Sequence, residues 1–321
     1  MKTLYPEIPP YDTFFLNTNS QHSIYVELSG NPNGIPVVFL HGGPCSGTKP
    51  DHRRFFNPQH YQIILFDQRG CGLSLPFGEL EHNTTQDLIA DMECIRKQLN
   101  IKQWLVFGGS WGGALALLYA QQHSHYVSGL IIRAVFLARQ QDMDWFLKGY
   151  AGRIYPEQWQ KLLDCLDAQE GDDLLIKLCE ALWGEDELAV RRVAKEWQAW
   201  SAQVALGQLY NPALQSEHIS EKTVKQTRME LHYAKHHYFI ADNQILNNCS
   251  LLKDIPSLII HGRADLLCPI EAGFKLYQTM PHADYITLPT GGHIAQQAEM
   301  IDALVNATDD FLSRVYGVQC L

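Results

Sequence analysis

Three residues set far apart in the chain have the types that acyl transfer needs. They are Ser110 in Gly108-Gly-Ser-Trp-Gly112, Asp265 in His261-Gly-Arg-Ala-Asp265, and His293 in Pro289-Thr-Gly-Gly-His293. A serine hydroxyl attacks a carbonyl only when a base removes its proton. Histidine suits that task near neutral pH, and a carboxylate can hold the imidazole in the required tautomer. A bare Gly-x-Ser-x-Gly more often marks a glycine-rich turn than a nucleophile, so its flanks decide. Here a strand-like apolar run, Trp104 to Phe107, enters the motif and an Ala/Leu-rich helical stretch, Ala114 to Ala120, leaves it. That is the strand, sharp turn, helix setting of a nucleophile elbow. Gly108 and Gly112 let the strand and helix backbones approach where side chains would clash. The backbone N–H of Trp111, at the start of the helix, is then aimed where an oxyanion forms.

The elements that must position these residues follow in order. Thr13 to Leu16 and Ser23 to Leu28 read as an antiparallel hairpin at a sheet edge, and Val37-Val-Phe-Leu40 as a buried parallel strand. That strand runs into His41-Gly-Gly-Pro44. These residues alone fit a plain turn as well as a loop in which Gly43 presents a second oxyanion N–H. Tyr61 to Phe66 is the next strand and ends in Asp67-Gln-Arg-Gly-Cys-Gly-Leu-Ser74, where Asp67 and Arg69 read as a buried ion pair tying loops beneath the site. Asn83 to Asp87 caps a helix with apolar residues at helical spacing (Leu88, Ile89, Met92, Ile95, Leu99), and Leu130 to Val135 is a further strand. From Arg139 to about Asn243 strand texture disappears, and tryptophans, Leu and Ala recur at helical intervals. Strands resume at Ser257 to Ile260 and Asp284 to Leu288, separated by a helix near Ala272 to Tyr277.

This alternation predicts an α/β fold with a mostly parallel sheet, helices on both faces and an inserted helical cap. The expected division is a core of residues 1–137 and 246–321 with a cap of 138–245. Asp265 and His293 both sit just past predicted strand ends, on the edge where Ser110 lies and where open α/β sheets bind ligands. The competing carboxylates Asp254 and Asp284 do not follow strand ends. The order Ser110, Asp265, His293 is that of the α/β-hydrolases.

Composition excludes other functions. The 321 residues carry a formal charge of −10 and no basic run, which argues against a nucleic-acid partner. The first residues, Met1 to Pro10, have no apolar signal core and no later stretch approaches the apolar length of a membrane span, so a cytoplasmic protein without a membrane partner is expected. The eight cysteines, Cys45, Cys71, Cys94, Cys165, Cys179, Cys249, Cys268 and Cys320, lack metal-ligand spacing and read as reduced thiols. His232, His236 and His237 lie close together, but without the glutamate of a His-Glu-x-x-His pattern they read as cap surface and no metal site is expected.

With these residues assembled, the chain resembles the proline iminopeptidase (prolyl aminopeptidase) family of α/β-hydrolases. The likeness is carried by His41-Gly-Gly-Pro44, Asp67 to Ser74, Asn83 to Asp87, Val106 to Gly113, Gly262 to Asp265, Cys268-Pro269 and Gly291 to His293. It implies release of N-terminal proline from small peptides without metal or cofactor, with Ser110, Asp265 and His293 as nucleophile, acid and base. It also implies two cap carboxylates for the substrate ammonium. Glu230 matches one, in Arg228-Met-Glu230, and the position of the other falls on Ser201 after Trp200. Glu196 would lie about 140° around a helix from that face. Cys45 and Ile294 are further departures from the family pattern. By the same resemblance Phe136 and Phe146 line the pocket for the pyrrolidine ring, though from the residues alone they read equally as cap-to-core packing. Two other readings stay open: an amidase or esterase whose substrate lacks a free amine, suggested by Ser201, and a catalytically silent binding protein.

Overall fold

The structure, a computed structural model, describes residues 1–169 and 171–317; Cys320 lies outside the described residues. Eight strands form one sheet: β1 (Asp12–Asn17), β2 (Ser23–Gly30), β3 (Ile35–Leu40), β4 (Tyr61–Phe66), β5 (Trp104–Ser110), β6 (Val127–Val135), β7 (Ser257–Gly262) and β8 (Asp284–Leu288). Their order across the sheet is β1-β2-β4-β3-β5-β6-β7-β8. The expected β1–β2 hairpin is antiparallel, β2 pairs antiparallel with β4, and all later pairs are parallel.

The chain leaves β3 toward β4 on one side and returns to β5 on the other. The order therefore reverses at β3, and a crevice opens between the carboxyl ends of β3 and β5, the usual place for ligands in such sheets. Helix α1 (Thr85–Gln98) leads from β4 into β5, and α2 (Trp111–Gln122) leads from β5 to β6. Thr84 caps α1 through a reciprocal bond with Asp87, which satisfies two N–H groups at the helix start.

Between β6 and β7 come α3 (Gln140–Leu147), α4 (Pro156–Cys165), α5 (Leu174–Leu182), α6 (Glu187–Leu206), α7 (Glu221–Lys235) and the short α8 (Gln244–Asn247). The side chains of Asp173, Asp186 and Ser220 cap α5, α6 and α7. These helices have an apolar cluster of their own, built on Phe146, Leu162, Leu178, Trp197, Trp200 and Leu231 and separate from the two clusters that cover the faces of the sheet. Specific polar contacts tie them down. Arg139 bridges Asp142 and Glu271, the Trp145 indole donates to the Leu266 carbonyl at 2.7 Å, and Tyr233 donates to Asn83 Oδ1 at 2.7 Å. After β7 follow α9 (Ile270–Thr279), β8 and α10 (Ala298–Tyr316). The last helix covers the second face of the sheet with Met300, Leu304, Val305 and Leu312.

Two expectations about the loops need correction. Asp67 and Arg69 do not pair with each other. Arg69 forms a two-point ion pair with Asp91 of α1, at 2.7 and 2.8 Å, whereas Asp67 accepts from the Thr48 N–H, the Thr48 hydroxyl and the Leu73 N–H. Each therefore ties down a different segment, Asp67 the loop at Thr48 and Arg69 helix α1. Of the histidine group, His236 and His237 are exposed as expected, but His232 is half-buried with Nε2 3.1 Å from the Asn83 carbonyl.

Candidate active site

Ser110 stands where β5 becomes α2, with φ 57° and ψ −128°. Few non-glycine residues adopt such a backbone, and it is the strained geometry that lifts the hydroxyl clear of the sheet. The neighbouring backbones make it feasible. A Cβ on Gly108 would sit 2.2 Å from the Gly112 carbonyl oxygen, and one on Gly112 would sit 2.1 Å from that of Leu40. Trp111 is fully buried as the first residue of α2, so its N–H is among those that no helical carbonyl can satisfy. Across the crevice Gly43 has φ +116°, in the loop that follows β3.

Asp265 and His293 meet on the turns after β7 and β8. The Asp265 carboxylate lies 2.9 and 3.1 Å from His293 Nδ1, and it accepts the Leu267 and Cys268 N–H groups at 3.0 and 2.8 Å. Burial alone would push this carboxyl up. The imidazole of His293, by charge and hydrogen bond, together with His261 and the Cys268 N–H, holds it below its ordinary value. An ionised Asp265 can only accept, so the bond it receives comes from a proton on His293 Nδ1. Arg133 of β6 donates to the His293 carbonyl at 2.9 Å and fixes the turn. Ser110 Oγ lies 3.9 Å from Cys268 Sγ, and His293 lines the same cavity without a described bond to it. Catalytic hydrogen bonds of this kind often tighten only when substrate binds.

That cavity measures about 400 Å3, and Gly43, Ser110, His293, Phe136, Phe146, Ser201 and Glu230 all line it. Asp265 and Trp111 lie behind its wall. Phe146 meets Trp197 edge-on at 5.4 Å, and Phe136 meets Tyr238 edge-on at 5.0 Å, so the apolar end is aromatic on several sides. Glu230 of α7 faces this end. Its Oε2 accepts the Trp197 indole N–H at 2.8 Å, and no ion pair reaches it among the described residues. Burial pushes its pKa up to about 7, against the opposing effect of hydrogen bonds from Trp197 and Gln198. Glu196 points elsewhere and bonds to Gln158 of α4.

Two further residues escaped the sequence reading. Gln198 lines the cavity beside Glu230, and its signal was its position one turn before Ser201 on the same helix face. Trp197 was recognisable only as one of several cap tryptophans, because the bond to Glu230 joins helices 33 residues apart. The cysteines separate as well. Cys268 lines the cavity, whereas Cys45 turns its sulfur to the Gly70 carbonyl at 3.5 Å and does not. The seven described cysteines are all free thiols.

This fold, with a serine elbow facing an acid–histidine pair, defines an α/β-hydrolase, and the family model described as alpha/beta hydrolase fold matches residues 35–297. Among solved structures, the bromoperoxidase of Bacillus anthracis superposes with a TM-score of 0.63 at 18% identity, covering 94% of this chain and 100% of the other. The proline iminopeptidase-related protein of Thermus thermophilus gives 0.59 at 19% identity, covering 95% and 98%. Sequence relatives are much nearer. The chain is 40% identical over 316 residues to a probable proline iminopeptidase of Leptolyngbya boryana, covering 98% of each. It is 39% identical over 312 residues to the proline iminopeptidase of Xanthomonas citri, covering 97% of this chain and 100% of the relative. The chain belongs to the proline iminopeptidase family.

Proposed function

We propose that the protein is a serine exopeptidase that releases N-terminal proline from small peptides. In this reading His293 Nε2 takes the proton of Ser110 as Oγ attacks the prolyl carbonyl. The N–H groups of Gly43 and Trp111 receive the oxyanion, and Asp265 stabilises the imidazolium. The imidazolium then protonates the departing amine. Water, activated by the same base, releases proline from the acyl-enzyme. The observation that carries the substrate assignment is Glu230, a carboxylate without a cationic partner at the aromatic end of the cavity that also contains Ser110. A half-buried carboxylate costs free energy unless something pairs with it, and a substrate ammonium would do so. With the amine held there and Phe136 and Phe146 around the ring, one residue fits before the scissile bond. Residues 138–245 act as the cap that closes this end, and residues 1–137 and 246–321 as the hydrolytic core.

A second reading has its own support. Ser201 stands where the family places its other carboxylate, and Asp142, the other cap acid on the cavity among the described residues, is paired with Arg139; a substrate without a free amine would suit such a site better. A panel of X-arylamides, N-acetylprolyl arylamide and simple esters separates the two. Turnover of the prolyl arylamide with rejection of its acetylated form supports the exopeptidase, and the reverse preference overturns it. Among the described residues no helix is long and apolar enough to cross a membrane. We place the enzyme in the cytoplasm on its free thiols, acting on peptide without a metal or cofactor.

A further inference from the structure

We infer that Gln68 is a positioning residue that sets the separation of the two oxyanion donors. It sits just after β4, buried and outside the cavity lining, so it acts only through its neighbours. Its side-chain nitrogen donates to the His41 carbonyl at 2.8 Å, and its side-chain oxygen accepts the Trp111 indole N–H at 2.9 Å. Its backbone N–H donates to His41 Nε2 at 3.0 Å. One side chain thereby joins the end of β3, from which Gly43 extends, to the first residue of α2, whose N–H is the other donor.

Each link has a fixed direction. Burial lowers the pKa of His41 and keeps its ring neutral. Its Nδ1, 2.9 Å from the Gly42 carbonyl, carries the proton and leaves Nε2 to accept from Gln68. The Trp111 indole can only donate and the His41 carbonyl can only accept, so the Gln68 amide satisfies both in one orientation alone. Neighbouring residues hold the rest of the loop. Asp67 binds Thr48 beyond Gly43, and Arg69 binds Asp91 of α1. Stabilisation of an oxyanion depends on donors held about 2.7–3.1 Å from where the charge appears. A residue that fixes the spacing of the donors should therefore act on the transition state and leave ground-state binding alone.

The inference rests on the acyl-transfer reading of Ser110. Its test uses the full-length wild type with Gln68→Met, which removes both side-chain bonds, and Gln68→Glu, which keeps the acceptor for Trp111 but sets an oxygen against the His41 carbonyl. The readouts are kcat and KM on prolyl p-nitroanilide, inhibition by proline boronic acid as a tetrahedral analogue, and inhibition by L-proline as a ground-state ligand. Gln68→Met should lower kcat by about 10- to 100-fold and weaken the boronate equally, while KM and proline inhibition stay within about twofold. Gln68→Glu should fall between this variant and the wild type. Unchanged kcat in both variants, equal weakening of boronate and proline, or failure of both to fold would overturn the inference. A wild type inert to anilide and boronate would bring down the proposed function and this inference with it. An active wild type with unaffected variants brings down the inference alone.

Discussion

The two walls of the cavity are built on different principles. On the sheet side, backbone determines the geometry. Ser110 is held by a strained turn, Gly108 and Gly112 leave no room for a methyl group, and the acid–base pair sits on turns that follow adjacent strands. On the helical side, side chains determine it. Glu230 reaches the cavity from α7, its partners Trp197 and Gln198 come from α6, and Ser201 occupies the next turn of that helix. In the proposed reading the chemistry is therefore locked into the fold, whereas recognition of the amine would rest on a few side chains that single substitutions can change.

The largest expected effects come from the sheet-side wall. Ser110→Ala and His293→Ala should each lower kcat by roughly 10⁴- to 10⁶-fold, since such residues act as a unit. Asp265→Asn should cost about 10⁴-fold by favouring the wrong imidazole tautomer. Steady-state kinetics on prolyl arylamide with circular dichroism to check folding decides this, and near-normal activity in a folded variant would refute the assignment.

On the helical side, Glu230→Gln should lower kcat/KM for prolyl arylamide by about 10- to 150-fold, the worth of one charge-assisted hydrogen bond, with far less effect on esters. The same change should stabilise the protein above neutral pH. A carboxyl whose folded pKa, about 7, lies above its unfolded value keeps its proton longer in the fold, so wild-type stability falls from about pH 4.5 to 7 and stays lowered beyond. Gln lacks this penalty, and the gain at pH 8 should be about 1–3 kcal/mol, vanishing near pH 4. Melting curves at both values, with Tm no higher for the variant at pH 8, would count against a half-buried Glu230 without a cationic partner.

A smaller effect would sharpen the comparison. Ser201→Glu should supply a second carboxylate and raise kcat/KM for prolyl arylamide by up to about the same 10- to 150-fold, leaving esters unchanged. If the wild type ignores prolyl amides and this variant does not create that activity, the substrate lacks a free amine. The smallest expected effect concerns the thiols. Cys268 lines the cavity 3.9 Å from Ser110 Oγ, so a bulky mercurial on it should block substrate, and Cys268→Ser should remove that sensitivity. Cys45→Ser should leave inhibition of the enzyme in place, because its sulfur faces Gly70 instead.

The sheet-side wall was largely legible in the sequence because backbone constraints leave local signatures. Strand runs ending in glycine turns marked Ser110, Asp265 and His293, and the structure brings the last two into direct contact. The capped helix after Asn83 and the glycine loop at Gly43 were legible for the same reason. The helical side was not, since the contacts of Glu230 depend on how α6 and α7 pack, which no local spacing encodes. Resemblance to the family, not periodicity, singled out Glu230 and Ser201. Helix α10 escaped notice although Met300, Leu304 and Phe311 recur at helical intervals, because its polar residues (Asp302, Asn306, Asp309, Asp310) interrupt the apolar run. Asp67 and Arg69 misled for a similar reason: opposite charges two residues apart suggest a pair, but each finds its partner in a segment that local spacing does not reveal, Thr48 for Asp67 and Asp91 for Arg69.

The bond between the Trp197 indole and Glu230 has an optical consequence. An excited indole is sensitive to charge at its N–H, and here that charge belongs to Glu230, which itself lines the cavity. A cation arriving at Glu230 changes the field across the ring, so the emission of Trp197 reports occupancy directly. The protein thus has a built-in fluorophore at the point where the proposed ammonium docks, and binding can be followed with an unlabelled ligand in a Ser110→Ala enzyme that cannot consume it.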